Sequence, residues 1–396
     1  MRARRNPASG EPGEITTNAL AALKTLRTLE TKGVWPVILG YYPVQVTNPY
    51  LALLYREAWR EGVAPIGVPT EEGIDELAEL ARLGHRVVLH MHWLNRPLHW
   101  SATAADAGRD ARAFLDRLDR VRDAGGRIAW TVHNLLPHGT RFEAEERRFR
   151  GEVAKRVDLV HIMASATPDL VAPYFELPRD RLLHIAHPNY LGAYPDYVSR
   201  EQARADLELL ADELVYLVLG SIRAYKGLSD LLDAWDALPL DGVPRRLVIA
   251  GGPTKDEGVA ELVERAALHP GVLVAAERID AERMQVFLRA ADVAVLPYVR
   301  SLNSGALLLA LSFDLPAIVP AGAGMAEVLD VRAGRTFDPG DRDSLVAALV
   351  AARELATPEG HAAAGEIARR YDSADTSLRF ARELRTRLGW GPATER

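Results

Sequence analysis

Gly220-Ser221-Ile222-Arg223-Ala224-Tyr225-Lys226-Gly227 follows the apolar run Val215-Tyr216-Leu217-Val218-Leu219, and Pro297-Tyr298-Val299-Arg300-Ser301-Leu302-Asn303-Ser304-Gly305 follows Val293-Ala294-Val295-Leu296. Short apolar runs of this kind read as buried parallel strands. A helical pattern comes after each loop. A strand, a loop of small residues and a helix start together make an anion site, because unpaired backbone N–H groups and the helix dipole point at the loop. Arg223 and Lys226 add positive charge to the first loop. Two such loops in one sheet suggest a diphosphate held between them.

The same rhythm extends outward in both directions. In the second half, strands are expected at Val215–Leu219, Arg246–Ala250, Val272–Ala275, Val293–Leu296 and Ala317–Val319. Helices are expected at Leu228–Ala237, Asp256–Ala267, Ala281–Ala291, Gly305–Phe313 and Ser344–Ala356. In the first half, strands are expected at Val34–Tyr42, Ala64–Val68, Arg86–His92, Arg127–His133, Leu159–Ala164 and Leu182–His187. The intervening helices are Tyr50–Glu61, Gly73–Leu83, Asp106–Ala124, Phe142–Val157 and Pro168–Tyr174. Alternating strands and helices mean an α/β fold with parallel sheets covered on both faces. Two doubly wound, Rossmann-like domains are expected, with ligand in a central cleft at the C-terminal ends of the strands. The expected division is a disordered tail 1–13, a first Rossmann-like domain 14–190, a linker 191–212, a second Rossmann-like domain 213–375 and a C-terminal helix and tail 376–396.

Composition narrows the function. The chain has 396 residues, enough for two ordinary domains, and a net charge of −6. That balance argues against a nucleic-acid binder, whose footprint would be basic. With no cysteine, thiolate zinc sites, thiol nucleophiles and disulfides are excluded. No run approaches the roughly 20 apolar residues of a membrane span. The start, Met1–Gly13, lacks an apolar signal region and reads as the tail of a cytoplasmic protein. Only five residues are lysine, which makes Lys226 stand out.

The second half resembles the donor-binding half of the GT-B glycosyltransferases, in particular the group 1 enzymes (glycosyltransferase family 4 and relatives). Those enzymes carry Gly-Arg-Leu-x-x-x-Lys-Gly where this chain has Gly220 to Gly227, and their lysine contacts the donor diphosphate. Lys226 matches it. The family arginine falls at Ser221, with Arg223 as its candidate replacement. Val248-Ile249-Ala250-Gly251-Gly252-Pro253 matches the strand and glycine pair that pass close to the nucleotide. Ala323-Gly324-Met325-Ala326-Glu327-Val328 resembles the Gly-Gly-x-x-Glu-Val segment, and Phe337-Asp338-Pro339-Gly340-Asp341 the Pro-Gly-Asp loop. Arg278 and Ile279 lie on the loop where the family touches the base.

One departure stands out. The family's two glutamates, eight residues apart, fall at Ser301 and Leu309. Leu309 cannot accept hydrogen bonds from a ribose, so the nucleoside must be held in another way. Asn303, Ser304 and Gly305 still offer N–H groups and a hydroxyl to phosphate.

The resemblance extends less tightly to the first half. Thr131-Val132-His133-Asn134 parallels a family Thr-Val-His-Asp whose histidine touches the donor sugar, which implies that role for His133, with Asn134 in place of Asp. Pro188-Asn189-Tyr190 sits where the family has an Asn-Gly hinge. Together with Asn48-Pro49-Tyr50, His92-Trp93 and Pro137-His138, these features resemble bacterial transferases that build exopolysaccharides and related glycans.

Strand alternation puts His90 and His92 on one face. His90, among apolar neighbours, reads as a structural histidine. His92 and His138 are candidates for a general base, since imidazole titrates near neutral pH, and the structural alternative stands beside each. No carboxylate or thiol accompanies these histidines as a metal ligand, and Asp341-Arg342-Asp343 reads as a turn and helix cap. No metal and no resident cofactor are expected. Arginines crowd Asp106–Ala124 and Phe142–Val157. Peripheral contact with anionic lipid is one reading; the interleaved Asp and Glu argue for a salt-bridged solvated face.

The implied activity is hexosyl transfer from a GDP- or UDP-linked sugar to a hydroxyl acceptor, lipid-linked or free. Lys226, Arg223, Asn303, Ser304 and Gly305 would hold the diphosphate. Gly220, Gly251, Gly252, Arg278 and Ile279 would meet the nucleotide. Asn134, Asn48 and Glu327 would serve the sugar or acceptor, and His133, His138 and His92 the chemistry. A non-catalytic partner of the same fold and a UDP-sugar 2-epimerase are the alternatives.

Overall fold

The computed structural model describes residues 35–391, apart from 46, 47, 138, 300, 303 and 323. The expected tail 1–13, His138 and Asn303 lie outside the described residues. Contacts divide the chain into two units, one running to Ala186 and resuming at Ala374, the other His187–Ser373.

In the first unit the strands are β1 Val37–Tyr42, β2 Val63–Gly67, β3 Arg86–Met91, β4 Arg127–Thr131, β5 Leu159–Ile162 and β6 Leu182–His184. They form one parallel sheet in the order β2-β1-β3-β4-β5-β6. Its helices begin with α1 Tyr50–Tyr55, α2 Glu72–Arg82, α3 Arg96–His99, α4 Ala104–Asp123, α5 Glu143–Arg156 and α6 Thr167–Val171. Central strands are apolar on both faces, and Val87, Val88 and Leu89 are wholly buried, as a sheet covered by helices requires. α4 starts where the sequence offers a capping box: the Thr103 hydroxyl accepts from the Asp106 N–H while the Asp106 carboxylate accepts from the Thr103 N–H.

The helix expected over Tyr50–Glu61 is interrupted. α1 stops at Tyr55, and a single 3-10 turn follows at Ala58–Glu61, closed by Gly62 at φ 67°. The Glu57 N–H donates to the Ser377 hydroxyl at 3.0 Å, outside the helical ladder. No local sequence rule could reveal a partner so distant in the chain.

The arginines of α4 and α5 are largely paired. Arg117 and Arg120 meet Asp75, Arg156 meets Asp119 and Glu152, Arg147 meets Glu143, and Arg150 meets Glu146 within the interior. Exposed pairs of this kind contribute little to stability, but they neutralise the helix surface.

In the second unit the strands are β7 Leu214–Leu219, β8 Arg245–Ala250, β9 Val272–Ala275, β10 Val293–Val295, β11 Ala317–Pro320 and β12 Gly334–Phe337. They too are all parallel, in the order β12-β11-β10-β7-β8-β9. The helices are α7 Arg200–Asp206, α8 Leu228–Asp236, α9 Val259–Leu268, α10 Ala281–Ala290, α11 Gly305–Ser312, α12 Arg342–Ala351 and α13 Pro358–Arg370. Two of these elements had no sequence expectation. β12 is an edge strand with no apolar run to announce it. α13 buries small residues, Ala363, Ala364 and Ala368, around Ile367. α9 begins three residues later than expected, because Thr254 bonds Ile222 O and the Asp256 carboxylate and so holds the chain out of the helix.

The segment 191–212, expected as a linker, is part of this unit. Arg204 on α7 is buried, pairs with Asp292, and donates to the carbonyls of Ala290, Leu210, Ala211 and Glu213. The last helix, α14 Ser373–Arg387, joins the first unit's core, where Phe380, Ala381 and Leu384 cluster with Val37, Leu39, Leu54 and Val88.

Candidate active site

Each sheet has a topological switch point, where the chain's direction of travel across the sheet reverses. It lies between β1 and β3 in the first unit and between β7 and β10 in the second. Crevices outside the C-terminal ends of such strands are where doubly wound folds bind ligands. The loops singled out in the sequence leave from these strands.

In the second unit the loops after β7 and β10 touch. Gly227 takes φ 69°, and a Cβ there would come within 1.9 Å of the Pro297 carbonyl oxygen. Glycine is therefore required for the two loops to close up. Gly227 is also the N-cap of α8. The loop after β8 joins them. Gly251 takes φ 153°, and a Cβ there would lie 2.1 Å from Gly220 O. Ile222 N–H donates to Gly252 O and Thr254 N–H to Ile222 O, a one-residue parallel bridge that extends the sheet beyond its strands. A Cβ on Gly252 would sit 3.4 Å from the backbone nitrogen of Arg278, which brings in the loop after β9. Arg278 is exposed there, and Ile279 is buried.

The Lys226 ammonium lies 5.5 Å above the centre of the Tyr298 ring, within cation–π range. Tyr298 is buried and shares a side-chain hydrogen bond with Ser304. Burial pushes its phenol up to about 12, the Ser304 hydrogen bond opposing the shift. Ser304, the N-cap of α11, makes no side-chain cap bond to that helix, which leaves the first turn of α11 uncapped by its own side chain. Burial, with the nearby Arg223 charge adding to it, pulls the Lys226 ammonium down to about 8. Arg223 stands 3.8 Å from Asp256. The structure thus gathers Gly220, Arg223, Lys226, Gly251, Gly252, Arg278, Ile279, Ser304 and Gly305 around the strand ends of one sheet. Glu327 is exposed on the turn after β11, within electrostatic reach of Tyr371.

The first unit brings together Asn48, His92 and His133. The Asn48 side-chain oxygen accepts from Tyr50 N–H at 2.9 Å, fixing the start of α1. Tyr50 in turn meets the His133 ring edge-on at 5.1 Å, and Trp93 stacks on His133 at 4.3 Å with 18° between planes. His133 is half-buried, as is Asn134. His92 is 1% exposed, with both ring nitrogens engaged: Nε2 with the Tyr55 hydroxyl at 2.7 Å and Nδ1 with His133 Nε2 at 3.1 Å. That corrects the expectation of His92 as a base. It supports His133 and presents no nitrogen of its own. Burial holds both His90 and His92 well below the usual imidazole range.

Tyr55, Thr131 and His161 escaped the sequence reading. Tyr55 fell inside the expected helix Tyr50–Glu61, with nothing to mark its hydroxyl. The available signal was His161, an imidazole inside the apolar strand Leu159-Val160-His161-Ile162. The hinge-like Pro188-Asn189-Tyr190 is held firmly within the second unit: Asn189 is wholly buried and bonds through backbone and side chain to Tyr371 O and Ala368 O. Among the described residues no three His, Asp or Glu side chains are grouped to hold a metal ion, and no helix is long and apolar enough to cross a membrane.

Comparison with known proteins bears on the fold and on the second unit. Residues 213–354 match the family described as Glycosyl transferases group 1. A GDP-mannose:glycolipid 4-beta-D-mannosyltransferase of Xanthomonas campestris pv. campestris is 28% identical over 317 residues, covering 79% of this chain and 81% of the relative. Among solved structures, HepE of Anabaena in complex with UDP superposes with a TM-score of 0.64 at 13% identity, covering 89% of this chain and 100% of that one. Sucrose-phosphate synthase from Thermosynechococcus elongatus superposes at 0.65 with 16% identity, covering 89% and 98%. The fold is that of the GT-B glycosyltransferases. Within that fold, residues 213–354 carry the match to the group 1 glycosyltransferases.

Proposed function

We propose that this enzyme transfers a hexosyl group, mannose from GDP-mannose, to a hydroxyl of a glycolipid acceptor, and that it does so with protein cations and no divalent metal ion. The bond from C1 of the sugar to the phosphate oxygen breaks. A bond from C1 to the acceptor oxygen forms, and the acceptor proton passes to a base. The barrier is departure of the diphosphate, so groups that stabilise the negative charge growing on it lower the barrier most. Lys226 is the principal such group. Arg223, Ser304, Asn303 and the N–H groups at the start of α11 assist. Gly251, Gly252, Arg278 and Ile279 border the nucleotide, and His133 serves the sugar. A glycolipid acceptor brings peripheral contact with a bacterial membrane surface and a place in glycan assembly into the same reading.

The observation that carries this reading is the convergence of Lys226, Tyr298 and Ser304 from two loops at the β7–β10 switch point. The choice of GDP-mannose and glycolipid rests on the named activity of the Xanthomonas relative.

Thermal unfolding with GDP, UDP, ADP and TDP, with and without magnesium, tests it. A ligand that binds only the folded state at a hundredfold excess over its Kd stabilises by about 2.7 kcal/mol. GDP should raise the melting temperature most, and to the same extent with magnesium chelated. A shift from UDP alone would overturn the donor assignment. A shift only with magnesium would overturn the metal-free reading. No shift from any diphosphate would favour a non-catalytic partner.

Lys226 gives a pH dependence. It is charged below about pH 8 in the empty site and loses its proton above that. Donor capture, read as kcat/KM for the nucleotide sugar, should therefore fall as pH rises through about 8. The unfolded chain keeps this proton to near 10.4. Between these values the unfolded state binds more protons, so the empty protein gains stability with rising pH while it loses donor affinity. Lys226→Arg, charged throughout, should remove this limb of the kcat/KM profile.

A further inference from the structure

A continuous line of buried hydrogen bonds runs through the first unit. His161 Nε2 bonds the Ile185 carbonyl at 2.9 Å, and His161 Nδ1 meets the Thr131 hydroxyl at 2.9 Å. Thr131 meets His90 Nε2 at 2.8 Å, and His90 Nδ1 meets the Tyr55 hydroxyl at 2.7 Å. Tyr55 meets His92 Nε2 at 2.7 Å, and His92 Nδ1 meets His133 Nε2 at 3.1 Å. His90, Thr131 and His161 are wholly buried, and His92 is 1% exposed. Phe380 stacks on His90 at 5.2 Å and lies 5.2 Å from His161, which closes the far side of the line with an apolar ring.

A carbonyl oxygen only accepts, so His161 donates from Nε2. A neutral imidazole has one donor and one acceptor nitrogen, and low dielectric favours the neutral form. His161 Nδ1 therefore accepts, from the Thr131 hydroxyl. Thr131 oxygen then accepts from His90 Nε2–H, and His90 Nδ1 accepts from the Tyr55 hydroxyl. Tyr55 has spent its only proton, so its oxygen accepts from His92 Nε2–H. His92 Nδ1 must then accept from His133 Nε2–H. Every bond points the same way, and the direction is set by one backbone carbonyl.

We propose that this line, from Ile185 O through His161, Thr131, His90, Tyr55 and His92, fixes the tautomer of His133, with the proton on Nε2 and the lone pair on Nδ1, and that Tyr55 is a positioning residue for sugar transfer. The tautomer decides which nitrogen of His133 accepts a proton or hydrogen bond from a sugar or acceptor hydroxyl. The proposal rests on the reading that His133 serves the reaction. Tyr55 and Thr131 act through other side chains and do not themselves meet substrate.

The test is nitrogen NMR of the full-length protein labelled at histidine, together with donor turnover. In the wild type the His133 Nδ1 resonance should be that of an unprotonated nitrogen and Nε2 that of a protonated one. Tyr55→Phe removes the hydroxyl between His90 and His92; Thr131→Val removes the one between His90 and His161. Each should give a mixture of His133 tautomers and lower kcat by roughly tenfold, a partial loss of the roughly 10² to 10⁴ that a full general acid–base effect supplies, with donor KM unchanged. Thr131→Ser keeps a hydroxyl and should keep the single tautomer. An unchanged single tautomer in both Tyr55→Phe and Thr131→Val would overturn the proposal, as would a mixed tautomer with full kcat. Full turnover by His133→Ala would instead sink the role of His133, and the tautomer measurement would still report separately on the hydrogen-bonded line.

Discussion

Replacing Lys226 with alanine should lower donor turnover by on the order of 10² to 10³, the usual cost of removing one group that stabilises developing charge. Lys226 is held by the Gly220–Gly227 loop above the Tyr298 ring, in surroundings that already disfavour its charge. A diphosphate bound there, as proposed, would relieve that penalty, and the relief would be larger for the fully charged leaving group than for the intact donor. The loss should therefore appear mainly in kcat. The substitution leaves the loop backbone and Tyr298 in place, so the melting temperature of the empty protein should not fall. Steady-state kinetics beside a thermal melt separates the two effects. A Lys226→Ala enzyme with full kcat would remove the lysine from the mechanism.

Gly251→Ala should act on structure and binding together. A Cβ there would lie 2.1 Å from the Gly220 carbonyl oxygen, a backbone atom that has no rotamer by which to retreat. At φ 153° the residue also occupies a region that side chains avoid. Overpacking costs about 1–3 kcal/mol and the backbone strain about 1–3 kcal/mol more. Relief requires the β7 and β8 loops to separate. Gly220, Gly252 and Lys226 would then no longer converge. Denaturant unfolding should show the loss of stability, and GDP should no longer raise the melting temperature of whatever remains folded. A variant as stable as the parent, with undiminished GDP binding, would show that the loops do not need their close approach.

The loops of the second unit were legible in the sequence because their pattern is local. A strand, glycines and a helix start lie within a few residues of one another, and chain order alone brings β7 and β10 side by side. Lys226, Gly251 and Ser304 could be found this way. Tyr298 stood inside a quoted loop, yet its place beneath the Lys226 ammonium depends on how two loops pack. The first half was less legible because its polar core is assembled from five different elements. Tyr55 comes from α1, His90 and His92 from the end of β3, Thr131 and His133 from the end of β4, His161 from β5, and Phe380 from α14. Periodicity counts Tyr55 as core and gives no hint that its hydroxyl joins two imidazoles. The break after Tyr55 has the same origin, since Ser377 takes the Glu57 N–H from the far end of the chain. β12 and α13 lacked a signal because one is a polar edge strand and the other a small-residue helix.

The loops at the β7–β10 switch point are proposed to hold a nucleoside diphosphate through Lys226. Equilibrium titration of GDP into the wild type and Lys226→Ala, with divalent metal ions chelated, tests it most directly. The expected result is one saturable site in the wild type, weakened at least tenfold by the substitution, a loss of about 1.4 kcal/mol. Equal affinity in the two proteins, or no saturable binding to the wild type, would contradict it.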